Sequence, residues 1–398
     1  MRRAPDPRAV VDRLAAATAD LDAPFAALDL TTLRANARDL VRRADGVPIR
    51  VASKSVRCRA VLEEVLGTDL SGQSGFRGIM SFSLPESMWL AREGARDILL
   101  GYPTLHRSAL AEYGQDDELL ERIVLMIDDV GQLDLIRDAI GTDLVTPRIC
   151  LDVDASLRVG PLHLGARRSP VHTPEQAASL ARAATERGFA VVGVMTYEAQ
   201  IAGLPDSSLA VRLMKRASAS DIGKRRGLVV DAVRAEVGEL EIVNSGGSGS
   251  IEVSIADSGV TEVTAGSGLY VPGLFDDYRS FVPQPSMYFA TVALRKPAPK
   301  IATVFAGGYI ASGPAGASRL PKPTWPVGLK LLGGEGAGEV QTPVAGAAAE
   351  KIAVGDRVWF RHAKAGELCE RFNEVHIVDS DGTRRSVPTY RGEGKCFG

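Results

Sequence analysis

The segment Arg50-Val51-Ala52-Ser53-Lys54-Ser55-Val56-Arg57 decides the reading of this chain. A short β-branched run, Val47-Pro48-Ile49-Arg50-Val51-Ala52, leads into Lys54 and sets the lysine at the carboxyl end of an expected strand. Upstream, Ala23-Pro24-Phe25-Ala26-Ala27-Leu28-Asp29-Leu30 reads as an apolar strand, and Thr31-Thr32-Leu33-Arg34-Ala35-Asn36-Ala37-Arg38 as the helix after it. In a closed α/β barrel the carboxyl ends of the strands form the rim that carries reactive groups. Burial disfavours the charged form of a lysine, and a free amine on that rim is a nucleophile for a carbonyl carbon. A surface lysine opening a helix would look the same locally, so the rest of the chain has to decide.

Outward from this segment, short β-branched runs alternate with Ala/Leu/Arg-rich helical ones up to about residue 270. The expected strands are Ala26 to Leu30, Ile49 to Ser53, Gly78 to Ser81, Asp97 to Leu100, Ile123 to Ile127, Arg148 to Val153, Ala190 to Thr196, Glu241 to Asn244 and Glu262 to Ala265. Helical runs such as 84–94 and 174–181 lie between them. This alternation predicts an α/β fold with a parallel sheet, and about eight such units predict closure into a (β/α)8 barrel. After about residue 280 helical periodicity fades and Gly, Pro and Val become frequent, with Val354-Gly355-Asp356-Arg357-Val358-Trp359-Phe360 reading as a turn into a strand. The expected organisation is a barrel over 24–275 and a β-domain over 276–398, with residues 1–23 packing on the latter.

At 398 residues the chain is long enough for a barrel of about 250 residues plus a smaller domain. A net charge of −2 provides no basic field for nucleic acid or anionic lipid, and Lys224-Arg225-Arg226 and Arg384-Arg385 read as solvated faces. No apolar run reaches the roughly 20 residues of a membrane span, and the charged start, Met1-Arg2-Arg3-Ala4-Pro5-Asp6, is not that of a secretory leader. Cys58, Cys150, Cys369 and Cys396 form no CxxC pair, which fits reduced thiols and a cytoplasmic protein.

Two glycine-rich segments follow late strands. In Asn244-Ser245-Gly246-Gly247-Ser248-Gly249-Ser250, glycines let consecutive amides curl toward one point while the serines add hydroxyl donors, an arrangement that suits a phosphate monoester. Ala265-Gly266-Ser267-Gly268-Leu269-Tyr270 ends the next strand, and in a barrel these neighbouring mouths form the usual phosphate site. Neither is a Walker loop or a dinucleotide fingerprint. Arg158 falls just past another strand end, and Tyr197, Glu198 and Gln200 stand at a further mouth, able to contact a cofactor or substrate. Of the histidines, His106, His163 and His172 are expected to be exposed or locally bonded.

Together these segments resemble the fold-type III pyridoxal phosphate enzymes with an alanine-racemase-like barrel. More narrowly they resemble the branch containing D-threonine aldolase and D-serine dehydratase, with actinobacterial-type amino acid deaminases and aldolases. The residues carrying the resemblance are 24–30, Ala52-Ser53-Lys54-Ser55, Asp97-Ile98-Leu99-Leu100, Leu157-Arg158-Val159-Gly160 and Ser245-Gly246-Gly247-Ser248-Gly249. The resemblance implies pyridoxal 5'-phosphate bound covalently to Lys54, Arg158 facing the pyridine nitrogen, and the phosphate held by Gly246 to Gly249 with Ser267, near Tyr270. It further implies a homodimer in which the β-domain closes the partner's active site. The reaction it implies is lyase chemistry on a β-hydroxy, D-configured amino acid, by retro-aldol cleavage or by dehydration with deamination. A racemase using Lys54 as one of two bases, and a pyridoxal phosphate carrier without catalysis, are the alternatives.

Relatives with a catalytic metal carry His-x-Cys or His-x-Asp shortly after the Val-Gly-Asp turn. Here the segment is Phe360-Arg361-His362-Ala363-Lys364-Ala365-Gly366-Glu367-Leu368-Cys369, which places Lys364 at the second ligand. A protonated lysine cannot ligate a metal. No metal is therefore expected, and Lys364 with His362 becomes a candidate catalytic pair, its ammonium replacing the ion near the substrate's hydroxyl or carboxylate. A rearranged metal site of His362 with Cys369 or Glu367 is the alternative.

Overall fold

Eight of the nine expected strands close a barrel, and the ninth belongs elsewhere. The computed structural model describes residues 7–141, 144–206, 208–279, 281–282 and 284–397, which form two compact units. The charged opening, residues 1–6, lies outside the described residues.

The barrel unit takes Asp39–Lys54 and most of Leu62–Gly266. Its strands are Ile49–Ala52, Phe76–Ser81, Ile98–Pro103, Ile123–Ile127, Arg148–Asp152, Ala190–Thr196, Ile242–Ser245 and Glu262–Ala265, each parallel to the next. The ring closes where Val263 lies opposite Ile49. The helices between them start where the sequence supplies caps. Ser83 accepts from the Glu86 amide ahead of Leu84–Arg92, and Thr173 with Gln176 forms a reciprocal box at Pro174–Glu186. Each such cap contributes about 1 kcal/mol.

Strand alternation sends every second side chain into the lumen. Leu99, Val124, Met126, Cys150, Met195 and Ile242 meet there, so the lumen is a packed core. Below them lies a polar floor. The fully buried Arg50 donates to both oxygens of Glu262, at 2.6 and 2.7 Å, and to Asp97 at 2.7 Å. Asn244 adds a hydrogen bond to Glu262 at 2.7 Å and one to Thr264 at 2.8 Å. Gly78 makes this floor possible: its φ is +58°, and a Cβ there would lie 2.7 Å from the Arg50 Nη1 and 2.5 Å from the Asp97 carbonyl oxygen.

The other unit takes residues 7–38, Ser55–Val61 and most of Ser267–Cys396. Its nine-stranded sheet runs Lys330–Leu331, Gln341–Ala345, Ile301–Phe305, Met287–Ala298, Phe25–Asp29, Glu374–Val378, Arg384–Pro388, with Lys322–Trp325 and Arg357–Arg361 paired off this path. This corrects the expected barrel span of 24–275. Phe25–Asp29, read as the first barrel strand, pairs antiparallel with Met287–Ala298 (Ala26 opposite Phe289) and parallel with Glu374–Val378 (Ala27 opposite His376). All five of its residues are buried. A strand covered on both faces reads as a continuous apolar run in either setting, so local pattern does not say which sheet receives it. The helix Pro7–Ala17 packs Val11 and Leu14 against Phe25, Tyr288 and Trp359, as expected for the residues preceding the first strand.

Candidate active site

Lys54 follows the strand Ile49–Ala52 in a single 3-10 turn, Ser53–Ser55. Its Nζ donates to the Tyr102 hydroxyl at 2.6 Å and lies 5.3 Å from that ring's centre. The Arg168 guanidinium lies 5.9 Å from the Tyr102 ring and 5.6 Å from that of Tyr197. The barrel mouth thus presents an amine, two phenols and a guanidinium in one chain of contacts. Burial pushes the Tyr197 hydroxyl up to about 12, so it acts there as a neutral donor and an apolar face. Tyr102 and Arg168 were not foreseen. The signal for Tyr102 was its place in the last turn of its strand, and Arg168 sits in a loop with no periodicity to read.

The glycine loop is held from beneath by a network that local reading also missed. The buried Glu198 carboxylate accepts from Ser245 Oγ at 3.0 Å, from the Gly246 amide at 3.2 Å and from Ser254 Oγ at 2.5 Å. Arg226 donates to Ser245 Oγ and to Thr196 Oγ1, both at 2.8 Å. The Gly247 amide donates to Ser250 Oγ at 3.1 Å, and Ser248 Oγ accepts from the Gly266 amide at 3.3 Å. A Cβ on Gly247 would come within 2.9 Å of the Ala202 Cβ and 3.3 Å of Tyr197 Cε2, so the loop backbone runs directly against the tyrosine. Two corrections follow. Arg225 and Arg226 are not a solvated face: Arg226 is 1% exposed beneath the loop, and Arg225 donates to the carbonyls of Asp154 and Ser156. The one inward stripe of the helix Leu209–Val237 carries both, and a run of cations in sequence conceals that periodicity. The hydroxyl of Ser245 and the amide of Gly246 also serve the Glu198 network, which narrows the set of donors facing outward.

Arg158 lies on a two-stranded ribbon, Leu157–Val159 with Leu162–Leu164, where its guanidinium bonds Asp154 at 2.5 Å. Its side chain is 41% exposed there. His106 caps the helix Arg107–Tyr113, accepting from the Ala109 amide, as a locally bonded histidine should.

Two carboxylates complete the mouth. Asp152 ends the strand Arg148–Asp152, and Asp128 follows Ile123–Ile127 directly. Burial and the nearby Asp128 push the Asp152 carboxyl up to about 7, against the pull of Arg168. Burial also raises Asp128, whose Oδ1 accepts from Gln132 at 2.6 Å. Period-two alternation from the lumen residues Met126 and Cys150 was the sequence signal for both.

The β-rich unit holds a cleft of about 320 Å³ lined by His362, Lys364, Glu367, Arg57, Glu370 and Arg371 among others. Lys364 pairs with Glu367 at 3.0 Å and donates to Ser312 Oγ at 2.6 Å, while Arg57 pairs with Glu370 at 2.8 Å. His362 is 3% exposed, and burial with the adjacent Arg361 lowers its imidazole to about 3. It is therefore neutral at any ordinary pH. Among the described residues no three His, Cys, Asp or Glu side chains converge as a metal-holding group. Ser267 and Tyr270 lie in this unit, in the short helix Ser267–Tyr270. Tyr270 is fully buried, donates to the Val56 carbonyl at 3.1 Å and meets His362 edge-on.

Comparison with known proteins adds a family and a set of shapes. The family described as alanine racemase, N-terminal domain, matches residues 28–272. D-threonine aldolase from Filomicrobium marinum superposes with a TM-score of 0.77 at 19% identity, over 94% of this chain and 96% of its own. D-threo-3-hydroxyaspartate dehydratase from Delftia sp. HT23 gives 0.71 at 19%, over 93% and 98%. Alanine racemase from Clostridium difficile 630 gives 0.61 at 15%, over 93% and 100%. No curated protein matches in sequence.

Proposed function

Because the chain belongs to the alanine racemase N-terminal domain family, we propose that it is a pyridoxal 5'-phosphate-dependent lyase acting on a β-hydroxy D-amino acid. The observation that carries the reading is the Lys54 amine, held by the Tyr102 hydroxyl on a barrel rim that also bears a glycine loop packed on Tyr197. The residues fit the cofactor: an amine for its aldehyde, a glycine loop whose backbone runs close against Tyr197, and a phenol face beside it. Bound there, the cofactor would supply an electron sink for charge developing at Cα.

The chain's own residues supply the rest. Lys54 binds the aldehyde and moves the proton at Cα, and Tyr102 orients its amine. Gly247 to Gly249 hold the phosphate, with Ser245 and Gly246 bracing the loop through Glu198 and with Ser267 and Tyr270 assigned to the same end. Tyr197 packs on the cofactor, and Arg158 is assigned to the ring nitrogen. Lys364 and His362 receive the polar end of the substrate, with no metal required, and a second copy of the chain completes the site as a homodimer. Residence in the cytoplasm is part of the same reading; among the described residues no helix is long and apolar enough to cross a membrane. Support for a lyase comes from the aldolase and dehydratase shapes, on which this fold superposes more closely than on that of alanine racemase.

The test begins with reductive trapping of the cofactor-loaded protein. Label on Lys54, lost together with the bound chromophore in Lys54→Ala, is expected; label on another lysine overturns the assignment. Activity should fall by about 10³-fold or more in that variant. Incubation with D- and L-β-hydroxy amino acids, assayed for aldehyde, keto acid and inverted enantiomer, then separates aldolase, dehydratase and racemase. Inversion alone would overturn the lyase.

A further inference from the structure

Two neighbouring strands of the barrel bring Asp128 and Asp152 side by side. Their register pairs Leu125 with Ile149, Met126 with Cys150 and Ile127 with Leu151, so the next pair in line is Asp128 with Asp152. Adjacent strands lie about 4.8 Å apart. Asp152 shares the parity of Cys150, which points into the lumen core, so it stands on the lumen side at the rim, and Asp128 follows the neighbouring strand beside it. Gln132 fixes Asp128 by a reciprocal pair of bonds: its amide nitrogen donates to Oδ1 at 2.6 Å, and its oxygen accepts from the Asp128 backbone amide at 2.9 Å.

We propose that Asp128 and Asp152 share one proton at neutral pH, and that Asp152 delivers it to the hydroxyl leaving a β-hydroxy amino acid. This rests on the lyase reading above and deepens it, because it selects dehydration over retro-aldol cleavage. Retro-aldol cleavage needs a base on that hydroxyl, whereas Asp152, as the member of the pair that holds the proton, presents an acid to it.

Charge supports the sharing. Two carboxylates in one partly buried place cannot both ionise cheaply, so the second proton is held. The groups facing the pair are Arg168, Asp154 and Asp129, with Gln132 beside Asp128 and the neutral Cys150 thiol beneath Asp152. Asp154 is occupied by Arg158 and by Ser156, which leaves Arg168 as the cation acting on Asp152. Arg168 also contacts Tyr102, the partner of Lys54, and thereby links the pair to the reactive amine.

Lys54 takes the α-proton, and the Cα–H bonding pair becomes the second bond between Cα and Cβ. The Cβ–O bond breaks with its pair going to oxygen. The Asp152 O–H bond breaks, and its proton joins that oxygen, which departs as water. Asp152 is left as a carboxylate facing Arg168 and regains a proton from solvent at the mouth.

Two measurements test this, the first of them independent of the cofactor reading. Infrared difference spectra of the protein without added cofactor should show a protonated-carboxyl band at pH 6 that fades as pH rises through about 7. The band should be absent in Asp152→Asn and present again in Asp152→Glu. A wild-type protein lacking any band that titrates in this range overturns the shared proton, whether or not pyridoxal phosphate binds. In the cofactor-loaded protein, Asp152→Asn should lower kcat for keto acid release at least about tenfold, leave KM within about twofold and remove the alkaline fall of the pH profile. Unchanged kcat, or aldehyde as the wild-type product, overturns the acid role. Should no cofactor bind at all, the lyase reading fails while the infrared result still judges the pair.

Discussion

The floor and the mouth of the barrel each bury carboxylates, with opposite company. At the floor Glu262 is 1% exposed yet bound by the Nε and Nη2 of Arg50 and by Asn244, so its charge is fully answered. At the mouth Asp152 has another carboxylate as its strand neighbour and a single arginine nearby. Both are lumen positions on barrel strands only a few residues deep. The difference teaches that depth alone does not set protonation; the partners supplied by the adjacent strands do. Answered charge makes a floor that holds the strands together, and unanswered charge makes a group able to carry a proton.

The sharpest way to break the contrast is to remove the cation below. Arg50→Met should leave Glu262 buried and unpaired and cost about 3–5 kcal/mol in denaturant unfolding. Replacing Glu262 as well, with an apolar residue, should recover most of that loss. A cost under about 1 kcal/mol for the single variant would mean that the floor is not the structural ion pair described.

At the mouth the effect is comparable in size but depends on pH. The folded chain holds a proton on Asp152 up to about 7, whereas the unfolded chain sheds it near 3.8. The unfolded state therefore binds fewer protons between these values, and stability falls as pH rises through that window. Asp152→Asn lacks this titration. Relative to wild type it should gain about 4 kcal/mol above pH 7 and nothing below about pH 4, read from melts across pH. A pH-independent difference would count against the raised carboxyl.

The smallest effect on stability belongs to the cleft of the β-rich unit. Lys364 is 41% exposed and its pair with Glu367 is a rim contact, so Lys364→Ala should change unfolding by under about 0.5 kcal/mol. Activity should fall instead, and it should survive exhaustive chelation in wild type. Stoichiometric zinc or manganese, with activity lost on chelation and restored by the ion, would refute the lysine's role and favour a site built on His362.

Alternating β-branched and helical runs were enough to read eight barrel strands, the glycine loop and Lys54 at a strand end, because strand period and turn chemistry are local properties. The strand identity of Phe25–Asp29 was legible for the same reason. Its destination was not: an apolar run buried on both faces satisfies a barrel and a mixed sheet equally, and only hydrogen bonds to partners about 260 and 350 residues away decide between them. Arg226 read as solvated because a cationic run carries no mark of which helix face turns inward. The aspartates stood in plain view at 128 and 152, but their pairing needed the register of two strands separated by a helix. What the sequence determined by itself was each residue's local conformation; which charges answer one another was settled by the tertiary structure, since electrostatic company is a matter of distance in space and not along the chain.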